Sequence, residues 1–231
     1  MTMRTSTQAL AASTSALLRG DDVTDLLARL LADAVAFLPV DGAAVLVAGP
    51  YGALELLSAT SHREQQLELY QAQVDEGPCV DTVRDVAEVV CVGADEIVGR
   101  WPTVGVAVVG SGFSAVHAFP LRWHDGALGG LNLFGTDASS FSPEECALAQ
   151  SFADVATLAV VHPTALADDE VRRRVEQALE GRAVVERAKG VLAHQLGVDP
   201  GDAYDELVAR ARGGSLTATA EAVVAEASRR R

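Results

Sequence analysis

The apolar residues of the stretch 21–38 recur three and four positions apart, which places them on one face of a helix. Asp21 or Asp22 can cap the start of this helix, and Pro39 stops it. The same spacing recurs over the stretch 142–161, whose opening Ser-Pro-Glu-Glu provides a capping box with proline at the first helical position. Helices are therefore predicted at both ends of this region.

Short apolar runs between these two helices predict strands. One pair of runs flanks the turn residues 49–52, a second pair is joined by Asp125-Gly126, and a single run covers 88–92. Strands and helices do not alternate strictly, so the pattern favours an α+β domain with a mostly antiparallel sheet. Short helices are predicted at residues 62–72, from Pro78 and after Pro102.

The last third of the chain contains no strand pattern. The stretch 168–196 predicts one helix of about 25 residues, whose apolar spacing suits either a short coiled coil or a long bundle helix. Gly197 ends it, Asp199 caps a second helix and Ser215 caps a third. The predicted organisation is a disordered leader at 1–19, an α+β domain at 20–162, a linker at 163–170, and a connecting helix with an all-α region at 171–231.

Charge separates the two predicted regions. The whole chain has a formal net charge of -14 and an ordinary globular composition, with 49% hydrophobic and 22% charged residues. Residues 1–169 contain 7 Arg and 22 acidic residues, whereas residues 170–231 contain 11 basic and 10 acidic residues. The tail is therefore the only part that a nucleic-acid backbone would not repel, although its near-neutral balance permits such binding without requiring it.

Several classes of protein are excluded by what the sequence lacks. It has no apolar run long enough to span a membrane and no secretory signal, so we expect a cytoplasmic protein. The three cysteines form no CxxC pair and the five histidines have no ligand spacing, so neither a metal nor a cofactor is expected. No nucleophile elbow or phosphate loop is present, which favours a protein that is not an enzyme.

Cys79 is the one candidate redox thiol. It lies near the start of a predicted short helix, a position that lowers the pKa of a thiol, whereas the neighbouring acidic residues act in the opposite direction. A buried, inert cysteine is the alternative interpretation. A reductase acting through Cys79 and Cys91 would require both thiols to be exposed and close together.

Two sets of motifs resemble known families. The stretches DEGPCVDTVRD, WPTVGVAVV and SAVHAFPLRWHDGALGGLNLFG, in this order, resemble the GAF domain of actinobacterial regulators. The tail VEQALEGRAVVERAKGVLAHQLGVDPGDAYDELVARA resembles the ANTAR domain, a small helical RNA-binding module with an AKG or ARG followed by an apolar pair. Together they are typical of regulators of transcription antitermination.

The resemblance implies an architecture and a function. It implies a GAF sensor with a five- or six-stranded antiparallel sheet, a connecting helix that pairs as a dimeric coiled coil, and a three-helix RNA-binding end. The expected partners are RNA hairpins in nascent transcripts, a second copy of the chain and an unidentified small-molecule ligand of the GAF domain. No membrane partner is expected.

The resemblance also implies which residues contact RNA. Lys189, the only lysine of the chain, stands at the family's basic position, and Gly190 stands at the small position where the next helix approaches closely. The alternative for Lys189 is a solvated helix face with one ion pair. Tyr204 is expected in the core, which leaves arginine stacking as the route to RNA bases. The predicted RNA-binding residues are Arg182, Lys189, Gly190, Arg210 and Arg212.

One departure from the family keeps a second function open. Where ANTAR domains usually have Asn, Arg or Lys before the last helix, this chain has Gly213, Gly214 and Ser215. Each missing cation removes a phosphate contact. The alternative is a dimeric signalling or interaction module whose ANTAR-like tail does not bind RNA.

Overall fold

The computed structural model describes residues 5–49, 53–161, 183–212 and 215–229. The chain divides into two compact units, Met1–Thr164 and Ala165–Arg231. The first unit contains seven described helices, α1 Ser6–Arg19, α2 Val23–Phe37, α3 His62–Val74, α4 Pro78–Asp85, α5 Ala94–Arg100, α6 Val104–Gly110 and α7 Pro143–Val161. Its strands are β1 Gly42–Ala48, β2 Leu54–Ala59, β3 Val89–Val92, β4 Ala115–Trp123 and β5 Gly126–Gly135.

The five strands form one antiparallel sheet in the order β2-β1-β5-β4-β3. The predicted hairpin at Asp125-Gly126 is confirmed, because β4 and β5 pair up to Trp123 and Gly126 and the turn residue His124 has a φ of 53°. The predicted α+β class with a mostly antiparallel sheet is confirmed as well. Long β4 and β5 lie in the middle of the sheet and present side chains to both of its faces.

Helices α1, α2 and α7 cover one face of the sheet. The apolar stripe of α2, with Leu27 and Leu30, packs in the same cluster as Phe152 of α7 and Phe119 and Leu131 of the central strands. Both predicted caps are present, since Asp22 accepts the first amides of α2 and Ser142 forms the capping box of α7. This layer buries the apolar faces that the sequence pattern predicts.

The expectation of a disordered leader over residues 1–19 is wrong for residues 6–19. These form α1, which begins with a capping box between Thr5 and Gln8. Its buried residues are mostly small, and Ala9, Ala16 and Leu17 face the neighbouring helices α2 and α7. Such a stretch has a weak apolar pattern because small side chains gain stability through close packing against other helices.

The opposite face of the sheet carries a second core. Val116 and Phe134 alternate with the residues of the first core along β4 and β5, so they point to the other side. Trp101, Phe113 and Ile97 complete this cluster together with apolar residues of α6. Helices α3 and α4 also contact this part of the unit and bring polar side chains to it.

All the described secondary structure of the second unit is helical. It contains α8 (residues 183–196), α9 Pro200–Ala211 and α10 Leu216–Arg229. Gly197 follows α8 with a φ of 65°, and Asp199 caps α9. The predicted linker 163–170 and the first part of the predicted connecting helix, 171–182, lie outside the described residues. The core of this unit consists of Ala188, Leu192, Ala203, Leu207, Ala220 and Val223.

Gly129 tests the packing of the central strands. A Cβ atom at this position would lie 1.9 Å from the Leu46 carbonyl oxygen and 2.7 Å from the Val47 Cα, both in the neighbouring strand β1. We expect Gly129→Ala to lower the free energy of unfolding by roughly 1–3 kcal/mol, because a backbone clash cannot be relieved by a change of rotamer. Urea unfolding of the full chain measures this.

Gly99 of α5 is the matched control, because a Cβ there meets nothing within 4 Å. Gly99→Ala should leave the stability unchanged or raise it by up to about 1 kcal/mol. Equal unfolding midpoints for Gly129→Ala and the wild type would contradict the close approach of β5 to β1.

Candidate ligand and nucleic-acid sites

Two of the predicted RNA-binding cations, Lys189 and Arg210, are engaged by carboxylates of their own helices. The Nζ of Lys189 lies 2.5 Å from an Oε of Glu186, and only 24% of the lysine side chain is exposed. The Nε of Arg210 donates to Glu206 at 2.8 Å. The alternative predicted for Lys189, a helix face with one ion pair, therefore describes its local geometry. A phosphate would have to displace these carboxylates.

Arg212 is placed differently. It caps the C-terminus of α9 with a φ of 47°, is exposed, and makes no ion pair with any residue that the structure describes. Its guanidinium is thus available to a ligand without the loss of an existing contact. Arg182, the remaining predicted cation, lies outside the described residues.

The expected close approach of a helix at Gly190 is wrong. Gly190 is exposed, and a Cβ built on it would meet no atom within 4 Å. The buried side of α8 passes through Ala188 and Leu192, so Gly190 faces away from the core of its unit. The glycine leaves an open, flat position on the surface next to Lys189.

Tyr204 was expected in the core, and this is also wrong. Its side chain is 42% exposed and that of Val208, one turn further along α9, is 45% exposed. Tyr204 and Val208 therefore share one side of the helix. Arg212, the C-cap residue, follows one turn later along the chain, and we call these three residues the α9 stripe. The core side of α9 is formed instead by Ala203 and Leu207. The spacing of that pair is the sequence signal that could have placed Tyr204 outside.

A buried polar cluster lies on the second face of the sheet of the first unit. Glu68 of α3 is fully buried and accepts a hydrogen bond from the Asn132 side chain of β5 at 2.6 Å. The Gln71 amide donates to the other oxygen of Glu68, and its own oxygen accepts the Cys79 backbone N–H at 2.9 Å. We call Glu68, Gln71, Cys79 and Asn132 the Glu68 cluster; it joins α3, α4 and β5.

Burial raises the pKa of Glu68 to about 8. The hydrogen bonds from Asn132 and Gln71 lower this pKa and the charge of Glu64 raises it, but the loss of hydration is the largest effect. Asn132 Oδ1 is buried and has no hydrogen-bond partner among the described residues. Sequence reasoning missed this cluster, although the spacing of Glu64, Glu68 and Gln71 places them on one side of α3.

The space beside the Glu68 cluster is narrow. It is nowhere wide enough for a water molecule. A ligand larger than a proton would have to displace the surrounding helices. Besides Glu68 and Gln71, this space is lined by Leu67, Pro78, Val104, Val108 and Phe134.

A wider cavity of about 250 Å³ opens between α1 and α2. Its lining includes Arg19 and Arg29, whose guanidinium nitrogens lie 3.1 Å and 3.5 Å from the Asp21 carboxylate. These charges are already paired with one another. The cavity is large enough for a small molecule, but a charged ligand would compete with this existing network.

The environment of Cys79 opposes a redox role. Its thiol is fully buried, and burial together with the charge of Glu68 raises the pKa of Cys79 well above its usual range. Burial likewise raises the pKa of Cys91 to about 11. These properties favour the alternative of a buried, inert cysteine, because a protonated thiol is a poor nucleophile. A reductase acting through both thiols would need them to be exposed, whereas Cys79 and Cys91 are both buried.

Within the described part of the chain, no group of three or more His, Cys, Asp or Glu side chains could hold a metal ion. No described helix is both long and apolar enough to cross a bilayer.

Thiol labelling tests the burial of Cys79. Cys146 is partly exposed and donates to Glu88 at 3.2 Å, with a pKa that burial and this contact raise to about 11. In the native protein we expect a neutral alkylating reagent to modify Cys146 first. Cys79 and Cys91 should react at least about 100-fold more slowly than in denaturant, because they require opening of the fold.

Peptide mass spectrometry after timed alkylation gives the order of reaction, and Cys146→Ser should remove the early product. Modification of Cys79 before Cys146 would show that its thiol is accessible and would revive the redox interpretation.

Comparisons with known proteins agree with this architecture. The family model of the GAF domain matches residues 22–160, and that of the ANTAR domain matches residues 173–224. No curated protein matches the chain.

Solved structures that resemble the chain include GAF domains of several proteins. The GAF domain from Acinetobacter phosphoenolpyruvate-protein phosphotransferase has a TM-score of 0.57 at 11% identity, covering 72% of this chain and 99% of that chain. The phycoerythrobilin-bound GAF domain from a cyanobacterial phytochrome has a TM-score of 0.55 at 14% identity, covering 70% of this chain and 97% of that chain. The GAF domain of the Coxiella burnetii phosphoenolpyruvate-protein phosphotransferase has a TM-score of 0.54 at 15% identity, covering 68% of this chain and 93% of that chain. These similarities concern the fold alone. The two family models show that the chain belongs to the GAF family and carries an ANTAR domain after its GAF domain.

Proposed function

We propose that this protein is a regulator of transcription antitermination whose ANTAR domain binds hairpin RNA in nascent transcripts under the control of its GAF domain. The observation that carries the proposal is the order of the two domains on one chain, GAF at 22–160 and ANTAR at 173–224. A sensory domain and an RNA-binding domain on one polypeptide couple a signal directly to a transcript. The proposed place of action is the cytoplasm.

The α9 stripe supports RNA contact through bases rather than through phosphates alone. An exposed aromatic ring can stack on an unpaired base, and a guanidinium can contribute both charge and a planar surface. Tyr204 on α9 and Arg212 at its C-terminus offer these two groups. Hairpin loops present unpaired bases, so this surface suits a hairpin better than a continuous duplex.

Charge limits the affinity that this surface can reach. The chain as a whole carries a formal net charge of -14, and the exposed carboxylates of Asp202 and Asp205 lie near Tyr204 on α9. Few phosphate contacts mean a small release of counterions. We therefore expect moderate affinity that depends on salt and on stacking together.

The proposal includes a homodimer and a role for the other predicted cations. The family resemblance implies that the connecting helix pairs as a coiled coil, and Arg182 lies on the part of it outside the described residues. Lys189 and Arg210 would contact phosphates by exchanging Glu186 and Glu206 for them. Sedimentation equilibrium of the full chain measures the oligomeric state.

A second candidate function is a dimeric interaction module that does not bind RNA. The observation that favours it is the pairing of Lys189 and Arg210 with carboxylates of their own helices. The presence of Gly213, Gly214 and Ser215 where ANTAR domains usually have Asn, Arg or Lys also favours this second function. Under this hypothesis the exposed apolar part of the α9 stripe would contact a protein.

Substitutions in the α9 stripe test the RNA proposal. Binding of the full-length protein to a pool of structured RNA from its own organism is measured over a range of salt concentrations. Tyr204→Ala should weaken binding by roughly tenfold or more through the loss of base stacking. Arg212→Ala should lower the slope of log affinity against log salt by about 0.7–0.9, which corresponds to one lost phosphate contact.

Arg122→Ala is the matched control, because it removes an exposed cation of β4 in the other unit and should leave both quantities unchanged. Absence of binding at low salt in the wild type would favour the interaction module. Equal affinities of the wild type and Tyr204→Ala would remove the stripe from the RNA surface.

A further inference from the structure

Helix α3 packs with its polar side against the sheet. Glu64, Glu68 and Gln71 are buried together with Leu67, whereas Leu69 is 45% exposed and Tyr70 is 37% exposed. An amphipathic helix normally buries the opposite set of residues. Two buried carboxylates are costly unless each is neutralised, so the packing of this helix requires an explanation.

Glu64 has its own cation. Arg63 Nε lies 3.2 Å from one carboxylate oxygen of Glu64, and Thr60 donates a hydrogen bond to the other. The guanidinium of Arg63 also lies 3.9 Å from the Phe113 ring, which holds it in place. Arg63 is therefore engaged at Glu64.

Glu68 has no comparable partner among the described residues. The groups that face it are Glu64 from α3, the Cys79 thiol from α4, and the amides of Gln71 and Asn132. None of these groups carries a positive charge. The other neighbours in this space, from α4, α6 and β5, are apolar. An ionised Glu68 would thus be a buried negative charge without a counter-charge.

The occupant that neutralises Glu68 must be very small. The adjacent space does not admit even a water molecule, which excludes a metal ion with its ligands or an organic cation in this conformation. A proton needs no such space. Asn132 Oδ1, buried and without a partner among the described residues, is an acceptor that the O–H of a neutral Glu68 could use after a half-turn of the amide.

We propose that Glu68 is a proton-binding site that locks α3 onto β5 and α4, and that loss of this proton loosens α3 and is an input of the sensory unit. The contact extends to α4 because Gln71 links Glu68 to the Cys79 backbone N–H. It includes the loop before α4, where Gly77 has a φ of 134° and a Cβ would collide with Gln71. That this input controls RNA binding rests on the proposed function.

The direction of the pH effect follows from the raised pKa. When α3 is closed Glu68 titrates at about 8, and when α3 is open it should titrate near its ordinary value of 4.5. The closed form therefore holds an extra proton between these values, so its stability is full below the lower pKa and is lost as the pH rises through the upper one. Within this window, each unit by which the pH rises increases the equilibrium constant for opening of α3 about tenfold.

Other buried groups act outside this window. Burial lowers the pKa of His117 below 6.5, so its contribution to stability is lost as the pH falls. The raised pKa of Cys79 affects stability only above its ordinary value of 9.0. The change in stability between about pH 6.5 and 8 thus reports mainly on the titration of Glu68.

Native-state hydrogen exchange of the full-length protein tests the proposal. After correction for the intrinsic exchange rate, protection of the α3 amides should fall roughly 15-fold between about pH 6.5 and 8. In Glu68→Gln, an isosteric mimic of the neutral acid, the change should be less than about threefold. Glu144→Gln, which removes an exposed carboxylate of α7, should behave like the wild type.

Three outcomes are decisive. A pH dependence in the wild type and in Glu144→Gln that disappears in Glu68→Gln supports the proposal. Constant protection of α3 in the wild type overturns it, even if Glu68→Gln fails to fold. An equal dependence in all three proteins overturns it too. The measurement contains no RNA, so its result is independent of whether the proposed RNA binding succeeds or fails.

Discussion

The packing of the GAF domain depends on one carboxyl group being neutral. Glu68 lies under α3 at the second face of the sheet, where two amides hold both of its oxygens and no described cation reaches it. The first face needs no such device, because α1, α2 and α7 close it with apolar side chains. The first face is thus stabilised by the hydrophobic effect, whereas the second combines an apolar core around Trp101 and Phe134 with a polar network.

This difference bears on how a GAF domain can act as a sensor. An apolar layer such as the first face is close-packed and resists small changes in conditions. A buried polar network has two states with different hydrogen-bond requirements, since ionised and protonated Glu68 need opposite orientations of Asn132. The second face is therefore the side on which a small chemical change would alter packing. The ANTAR domain has a corresponding division between cations that are already paired and an exposed stripe that is open to a partner.

Local sequence rules predicted much of the fold. The Asp125-Gly126 hairpin and the caps at Asp22, Ser142 and Asp199 are as expected, because each depends on the chemistry of a few adjacent residues. Helix α1 was missed, because its small residues become informative only when α2 and α7 are in place.

The sites were predicted less well than the fold. Which side of a helix faces inward depends on its partners, and this decides the burial of Glu68, the exposure of Tyr204 and the open surface at Gly190. On α3 a polar pattern packs inward because Asn132 and Gln71 complement it, and hydrophobicity alone favours the opposite orientation. Tertiary contacts of this kind are not encoded in the spacing of residues along a single segment.

The charge state of Glu68 in the native protein is the most direct test of this account. Carbon-13 NMR of the glutamate side-chain carboxyl groups in the full-length protein follows each group as the pH is raised. The account predicts one resonance with a midpoint of about 8 that is absent from the spectrum of Glu68→Gln. Titration of every glutamate near the ordinary range, with midpoints below about 6, would contradict it.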